Sequence, residues 1–333
     1  MTTLIDRLHE WKTSPSKLLC LDLRPRDEYQ KKRIVPSTNI PYDELRARGN
    51  ELPPKQTPFA VIEPSSSPEC SQWLVDNGWK CSWIFCEAED ALWETVLGDG
   101  YGTTESPSGI WPLFRPSPLL SNHIQDIEAS IVGKLQCLDV GCGAGRDIVW
   151  LLARNNRWKV SAIDSLPACV EKTKAMGRAW NVSDRLTVTC AKVMANGRWQ
   201  SRTDNTLQND DMLMDRLERK KARLAPGIPV DSFFAILPDP RPPFDLILTI
   251  RFLARSMLRQ LPGLLKVGGY LAISQFVDHP DYDYKQPSKE HRLSVNEISD
   301  LYMSIGCMEI IVDIIDEIED GRPVNSVLLK RIK

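Results

Sequence analysis

The run Leu138-Asp139-Val140-Gly141-Cys142-Gly143-Ala144-Gly145-Arg146-Asp147 constrains this chain more than any other segment. An apolar strand delivers a carboxylate, then enters a turn with glycine at alternate positions. A helix-like stretch follows, Asp147-Ile148-Val149-Trp150-Leu151-Leu152. Glycine adopts left-handed backbone and lets the main chain approach a bulky group closely. A strand, turn and helix of this kind belongs at the carboxyl end of a parallel strand, where α/β sheets bind ligands.

The surrounding pattern agrees. From about Ser121, strands are expected at Leu135–Val140, Lys159–Asp164, Leu186–Cys190, Phe244–Thr249, Tyr270–Gln275, Cys307–Ile315 and Val324–Arg331. Helices fall between most of them, as at Ala168–Trp180, Leu253–Leu261 and Ser294–Ser304. Alternation of this kind predicts a mainly parallel sheet covered on both faces. Asp320-Gly321-Arg322-Pro323 is a turn signal, so the last two strands are expected to form an antiparallel hairpin. The expectation is an α/β fold with a seven-stranded, Rossmann-like sheet. Residues 195–241 interrupt it as a polar insertion, either a solvated excursion with one surface helix or an arm that carries specificity.

Residues 1–100 read as a separate, smaller α/β unit. Its strands are Leu18–Asp22, Phe59–Ile62 and Ser82–Phe85, with a helix over Glu69–Asn77. Glycine and proline crowd the following segment, so 101–120 is expected to be a linker and 121–333 the second domain.

Composition removes several function classes. The net charge of −2 gives no electrostatic case for a nucleic-acid partner. No apolar run approaches the ~18 residues of a membrane span, and the amino-terminal residues show no secretory core. The nine cysteines are scattered, without a Cys-x-x-Cys pair, which reads as reduced thiols in a cytoplasmic or nuclear location. Neither they nor the four histidines have metal-ligand spacing, so no metal is expected.

Which ligand the turn serves follows from its neighbours. A phosphate loop needs Gly-Lys-Ser/Thr, where this chain has Gly145-Arg146-Asp147. A dinucleotide turn needs a third glycine where Arg146 stands, and Asp147 would oppose a pyrophosphate at the helix start. S-adenosylmethionine carries no phosphate and tolerates acidic surroundings. Asp139 could meet its ammonium. Asp164, ending the next strand, could accept hydrogen bonds from both ribose hydroxyls. Asp164 could also serve simply as a helix cap, and the turn as a tight strand-to-helix connection.

Leu138–Asp147 with Asp164 resembles the first two motifs of class I S-adenosylmethionine-dependent methyltransferases. Phe244–Leu248 and Leu261-Pro262-Gly263-Leu264-Leu265-Lys266-Val267-Gly268-Gly269-Tyr270-Leu271 resemble the family's fourth strand, helix and glycine turn. The segment Pro287…Glu297-Ile298 is similar to a tellurite-resistance branch. The resemblance covers roughly 121–333. It implies S-adenosylmethionine held by Asp139, Gly141, Cys142, Gly143, Gly145, Asp164, Ser165 and Val193, and methyl transfer to an acceptor, with a small molecule favoured. Arg251 and His291 are candidates for contact with that acceptor, and no general base is identified. The family commonly offers an acid to the adenine after the third strand; here Lys192 stands near that place. Backbone groups around Ala191–Val193 are expected to take over, or cofactor affinity falls.

Asp22-Leu23-Arg24…Asp27-Glu28-Tyr29…Arg33-Ile34-Val35-Pro36 looks like the start of a rhodanese-like domain over residues 1–100. A working rhodanese carries a cysteine just after its central strand. Here that place falls on Glu63 or Pro64, and Cys70 comes later, expected in the next helix. The implied module is inactive in sulfur transfer and binds a protein partner or braces the second domain. The competing reading of the whole chain is a non-catalytic scaffold with two degenerate domains.

Overall fold

The computed structural model describes residues 3–14, 19–67, 69–105, 111–201 and 226–333. The chain divides into two compact units, Met1–Arg115 and Pro116–Lys333.

The first unit holds helix α1 (Leu4–Thr13), β1 (Cys20–Asp22), α2 (Arg26–Lys31), β2 (Arg33–Ile34), β3 (Thr38–Asn39), β4 (Phe59–Glu63), α3 (Gln72–Asp76), β5 (Cys81–Cys86), α4 (Asp90–Gly98) and β6 (Gly102–Thr103). Strands β3-β1-β4-β5 form a parallel sheet. Its central strand, β4, is buried along its whole length, as the uninterrupted apolar run Phe59–Ile62 requires. The glycine- and proline-rich stretch is not all linker. Its start folds as β6, paired antiparallel with β2, and its end enters the first helix of the second unit. Residues 106–110 of it lie outside the described residues.

The second unit begins with α5 (Pro118–Ser130), then β7 (Leu135–Val140), α6 (Arg146–Arg154), β8 (Trp158–Asp164), α7 (Pro167–Ala179), β9 (Leu186–Val193) and β10 (Trp199–Ser201). It continues with β11 (Phe244–Ile250), β12 (Leu265–Asp278), β13 (Leu293–Ser294), β14 (Met308–Glu317) and β15 (Pro323–Arg331). Among the described residues these strands make one nine-stranded sheet of order β10-β9-β8-β7-β11-β12-β15-β14, with β13 beside β12. All seven expected strands are present. The two additional ones are short: β10 from the insertion, and β13.

Pairing from β9 to β12 is parallel, and β15 enters antiparallel between β12 and β14. The hairpin turn closes through Gly321, at φ 79°. β15 is buried over most of its length because strands cover both its edges, whereas the outermost strand, β14, mixes buried and exposed positions.

Helix α6 presents Ile148, Val149, Leu151 and Leu152 to the sheet. Pro167 starts α7, where a proline's missing N–H is no loss. The helix expected over Leu253–Leu261 is shorter, Arg255–Leu258, and gives way to a 3-10 turn at Leu261–Leu264 that accommodates Pro262. At the amino ends of the strands, buried Asp245 accepts the Gln136 N–H at 2.8 Å and the Lys266 ammonium at 2.9 Å. This ties β7, β11 and β12 together, away from the glycine turn.

Candidate cofactor site

Strand order reverses between β7 and β11. The chain runs outward through β8 and β9 on one side, and β11 and β12 extend the sheet on the other. A crevice opens at the carboxyl ends of strands at such a switch. The glycine turn stands there.

Gly141, Gly143 and Gly145 have φ of 81°, 56° and 82°, conformations that side chains strain to adopt. Each also answers to different surroundings. A Cβ on Gly141 would lie under 3.0 Å from the Phe252 side chain, and one on Gly145 would lie 2.8 Å from Thr173 Cγ2. A Cβ on Gly143 would meet nothing within 4 Å. Two of the glycines therefore permit packing inside the protein, and Gly143 alone faces open space.

The turn is held from several directions. The N–H groups of Gly141 and Cys142 both donate to the Ile163 carbonyl, at 2.8 and 3.1 Å. Thr173 Oγ1 donates to the Gly143 carbonyl at 2.9 Å. Asp164 accepts the Gly143 N–H at one carboxylate oxygen and the Leu166 N–H at the other, each at 2.9 Å. Asp164 is thus not the helix cap of α7, which is Leu166. It pins two loops, and each oxygen keeps a second lone pair.

Asp139 is 3% exposed, and its carboxylate, among the described residues, has no hydrogen-bond or ion-pair partner. Burial, reinforced by the carboxylates of Asp147 and Asp164, pushes its carboxyl well above the usual range. Asp147, in the first turn of α6, is also raised by burial, partly offset by the Ser117 N–H that donates to it at 2.6 Å. A lone buried acid with acidic neighbours is costly until a cation arrives. Gly143 offers bare backbone to open space in the same turn.

The remaining expected residues are placed as follows. Cys142 lies within the turn, its Sγ 3.8 Å from Thr173 Oγ1, and burial followed by Asp139 raises its thiol strongly. Ser165 is half-buried directly after β8, and its carbonyl faces Cys190 Sγ at 4.0 Å. Val193 packs against the main core. β9 runs on to Val193 rather than stopping at Cys190, because β10 pairs with it antiparallel, Trp199 opposite Val193 and Ser201 opposite Ala191. The backbone of Ala191–Val193 is therefore engaged in a hairpin, and the Lys192 side chain is exposed.

Arg251 is exposed just past β11, with φ 56°, and its N–H donates to the Ser274 carbonyl at 2.7 Å. The His291 side chain is 68% exposed, with Glu290 3.8 Å away. Nothing ties it to the crevice. Sequence reasoning missed Phe252 and Thr173, which make Gly141 and Gly145 obligatory. Phe252 follows the fourth strand and Thr173 sits in mid-helix, so neither carries a local signal.

In the first unit, Glu63 ends β4 with its carboxylate accepting the Ser71 N–H at 2.8 Å. Cys70 stands in the turn before α3, not within the helix. Burial and then Glu63 push its thiol up to about 12. Arg24, fully buried, forks onto Asp22 (closest 2.7 Å), reaches Glu87 at 3.0 Å and lies 4.4 Å from the Trp93 ring centre.

Among the described residues, no helix is long and apolar enough to cross a membrane, and no cluster of His, Cys, Asp and Glu could hold a metal ion.

No protein-family model matches the chain. A protein of Schizosaccharomyces pombe, the uncharacterized UNK4.09, is 29% identical over 330 residues, covering 95% of this chain and 94% of its own. Similar solved structures include S-adenosylmethionine-dependent methyltransferases. One from Aquifex aeolicus is 16% identical, with a TM-score of 0.38, over 62% of this chain and 88% of its own. TehB from Haemophilus influenzae is 17% identical with a TM-score of 0.39, and the match spans 62% of either chain, under two thirds of TehB's length. The [4+2]-cyclase SpnF is 14% identical with a TM-score of 0.41, over 65% of this chain and 83% of its own.

Proposed function

We propose that the second unit binds S-adenosylmethionine in the crevice between β7 and β11 and transfers its methyl group to an acceptor, with a small molecule favoured. The observation that carries this reading is the pairing of a buried, partnerless Asp139 with the open face of Gly143. When bound, S-adenosylmethionine supplies an electrophilic methyl on a sulfonium, and the charge on sulfur is discharged as the acceptor takes the methyl.

The chain's own groups position and exclude water. Asp139 gains the cation it lacks from the methionine ammonium, and so becomes ionised. Asp164 offers its remaining lone pairs to the ribose hydroxyls while keeping the turn in place. Gly143 lets the ligand lie against bare backbone. No side chain need remove a proton unless the acceptor arrives protonated.

The first unit fits a rhodanese-like module without sulfur-transfer chemistry: a carboxylate stands where the nucleophile would be, and the Cys70 thiol is held protonated. Its role would then be to bind a protein partner. The tellurite-resistance branch and a cytoplasmic or nuclear site of action are further parts of this reading. The rival, a non-catalytic scaffold, draws on the β10 hairpin that engages Ala191–Val193.

Calorimetric titration with S-adenosylmethionine separates them. Saturable binding abolished by Gly143→Arg and weakened by Asp164→Ala is expected, and its absence in the wild type would favour the scaffold. Labelled-methyl transfer into fractionated cell extract then identifies the acceptor.

A further inference from the structure

The strand β14 closes one side of the large sheet, and among the described residues it pairs with β15 alone. The hairpin fixes which of its backbone groups point outward. The Gly321 N–H donates to the Ile318 carbonyl at 2.9 Å, and the Ile318 N–H donates to the Arg322 carbonyl at 3.0 Å. Hydrogen-bonded pairs alternate along an antiparallel ladder. Asp316, Ile314 and Val312 therefore exchange bonds with β15, opposite Val324, Ser326 and Leu328. Asp313, Ile315 and Glu317 turn their N–H and C=O groups to the open edge. Among the described residues nothing bonds to those groups.

The side chains along this edge are apolar and acidic. Ile311, Ile314 and Ile315 are exposed. The whole chain has a net charge of −2, yet the stretch from Leu293 to Gly321 holds eight acids and no lysine, arginine or histidine. Some of these acids are committed. Asp313 accepts from Ser299 and Asn325, Glu317 from Tyr282, and Asp320 pairs with Arg322. Glu309 stands opposite Lys330. Asp316 and Glu319, on either side of Glu317, have neither a hydrogen bond nor an ion pair among the described residues.

The same acids oppose a second copy of this chain. A twofold axis through Ile315 would set Asp313 against Glu317 twice. An axis through Asp313 or Glu317 would set that acid against its own copy. Like charges directly opposite destabilise a strand pair. The register slip between Ile310 and Val312 adds a bulge that further blunts self-pairing. Protection alone does not explain three exposed isoleucines beside open backbone groups. A strand of opposite charge meets all of these features.

We propose that β14 receives an extended segment of a partner protein in which lysine or arginine alternates with apolar residues, added to the sheet as a further strand. Main-chain bonds form at Asp313, Ile315 and Glu317, the isoleucines cover the apolar side chains, and Asp316 and Glu319 face the basic ones. The edge lies four strands from β7, about 19 Å across the sheet, so the crevice stays open. The proposal does not rest on the transferase reading.

The test uses the full chain and a fluorescent heptapeptide of alternating lysine and valine, followed by anisotropy. Its glutamate–valine counterpart and a fully N-methylated version are the controls. Ile315→Pro removes one outward N–H that the fold does not use, a change an edge strand tolerates. Asp316→Lys combined with Glu319→Lys reverses the charge. Each variant is checked for an unchanged melting point. Saturable binding of the basic peptide is expected, with affinity falling about tenfold or more in Ile315→Pro and in the double lysine variant, and falling with added salt. Amide exchange should slow at Asp313, Ile315 and Glu317 when the peptide is bound.

Lack of saturable binding overturns the proposal. So does equal binding of the N-methylated peptide, because the contact would then be charge alone, and so does amide protection elsewhere than β14. A wild-type dimer in sedimentation that Ile315→Pro dissolves would assign the edge to a second copy instead.

Discussion

The three glycines of the turn share a backbone conformation but have different neighbours, so alanine at each should produce a different defect. Alanine at left-handed φ costs about 1–2 kcal/mol, offset by about 0.4–1 kcal/mol because the unfolded chain is also restricted. For Gly143→Ala, whose Cβ meets nothing within 4 Å, the net is on the order of 1 kcal/mol. For Gly141→Ala the new methyl runs into Phe252 at its Cβ and Cγ, atoms near the root of the side chain. Overpacking adds roughly 1–3 kcal/mol, for a total of roughly 2–4. Gly145→Ala presses on Thr173 Cγ2 at 2.8 Å and falls between, with the bond from Thr173 to the Gly143 carbonyl put at risk.

Scanning calorimetry of the full chain should therefore rank melting points Gly143→Ala above Gly145→Ala above Gly141→Ala. At roughly 2–4 °C per kcal/mol, the extremes separate by several degrees. Ligand binding should show a different order. Gly143→Ala keeps most of its stability but puts a methyl on the open wall, and Gly143→Arg fills the crevice. A Gly143→Ala protein as destabilised as Gly141→Ala, or a Gly143→Arg protein that binds S-adenosylmethionine normally, would refute the division of labour.

Asp139 makes a pH prediction. Its folded pKa is raised by burial and by the carboxylates that face it, Asp147 from α6 and Asp164 from β8. Its contribution to stability is therefore fully present below the ordinary aspartate range and is lost as pH rises toward the folded value. Asp139→Asn should flatten that slope in thermal melts. Cation binding reverses the sign: affinity for S-adenosylmethionine should rise with pH by up to tenfold per unit, about 1.4 kcal/mol. A proton released to buffer, measured by calorimetry in buffers of different ionisation heat, checks this; a pH-independent affinity would contradict it.

Cys70, with its thiol near 12, should react slowly with iodoacetamide at pH 8, and neither the wild type nor Cys70→Ser should turn over thiosulfate and cyanide. Removing Asp22 from the buried Arg24 fork should cost up to about 3 kcal/mol, because it leaves a buried guanidinium with Glu87 as its remaining carboxylate inside the first unit. A melting point unchanged in Asp22→Ala would show that the fork is dispensable.

Most of the fold was legible because apolar runs alternate with helical periodicity, and an uninterrupted run such as Phe59–Ile62 has few alternatives to a buried strand. What escaped depends on partners distant in sequence. β9 extends past Cys190 only because Trp199-Gln200-Ser201 returns alongside it, and three residues are too few to carry a period-two strand signal of their own. β2, β3 and β6 are pairs of residues whose extended form comes from neighbours. The helix after β11 ends at Leu258, ahead of Pro262, a breaker that the apolar periodicity outweighed. In the site, Asp139, Asp164 and the glycines were visible as a motif. The bond from Gly143 to Asp164, spanning 21 residues, was not, nor was the seating of Phe252 on Gly141.

That bond has a consequence for kinetics. Because one carboxylate clasps Gly143 and Leu166 before any guest arrives, the floor of the crevice is already cast and little chain entropy remains to be surrendered on association. Binding of a nucleoside there should be fast and governed by diffusion and dehydration, and loosening the clasp with Asp164→Asn should lower the on-rate as well as lengthen the search for the right pose.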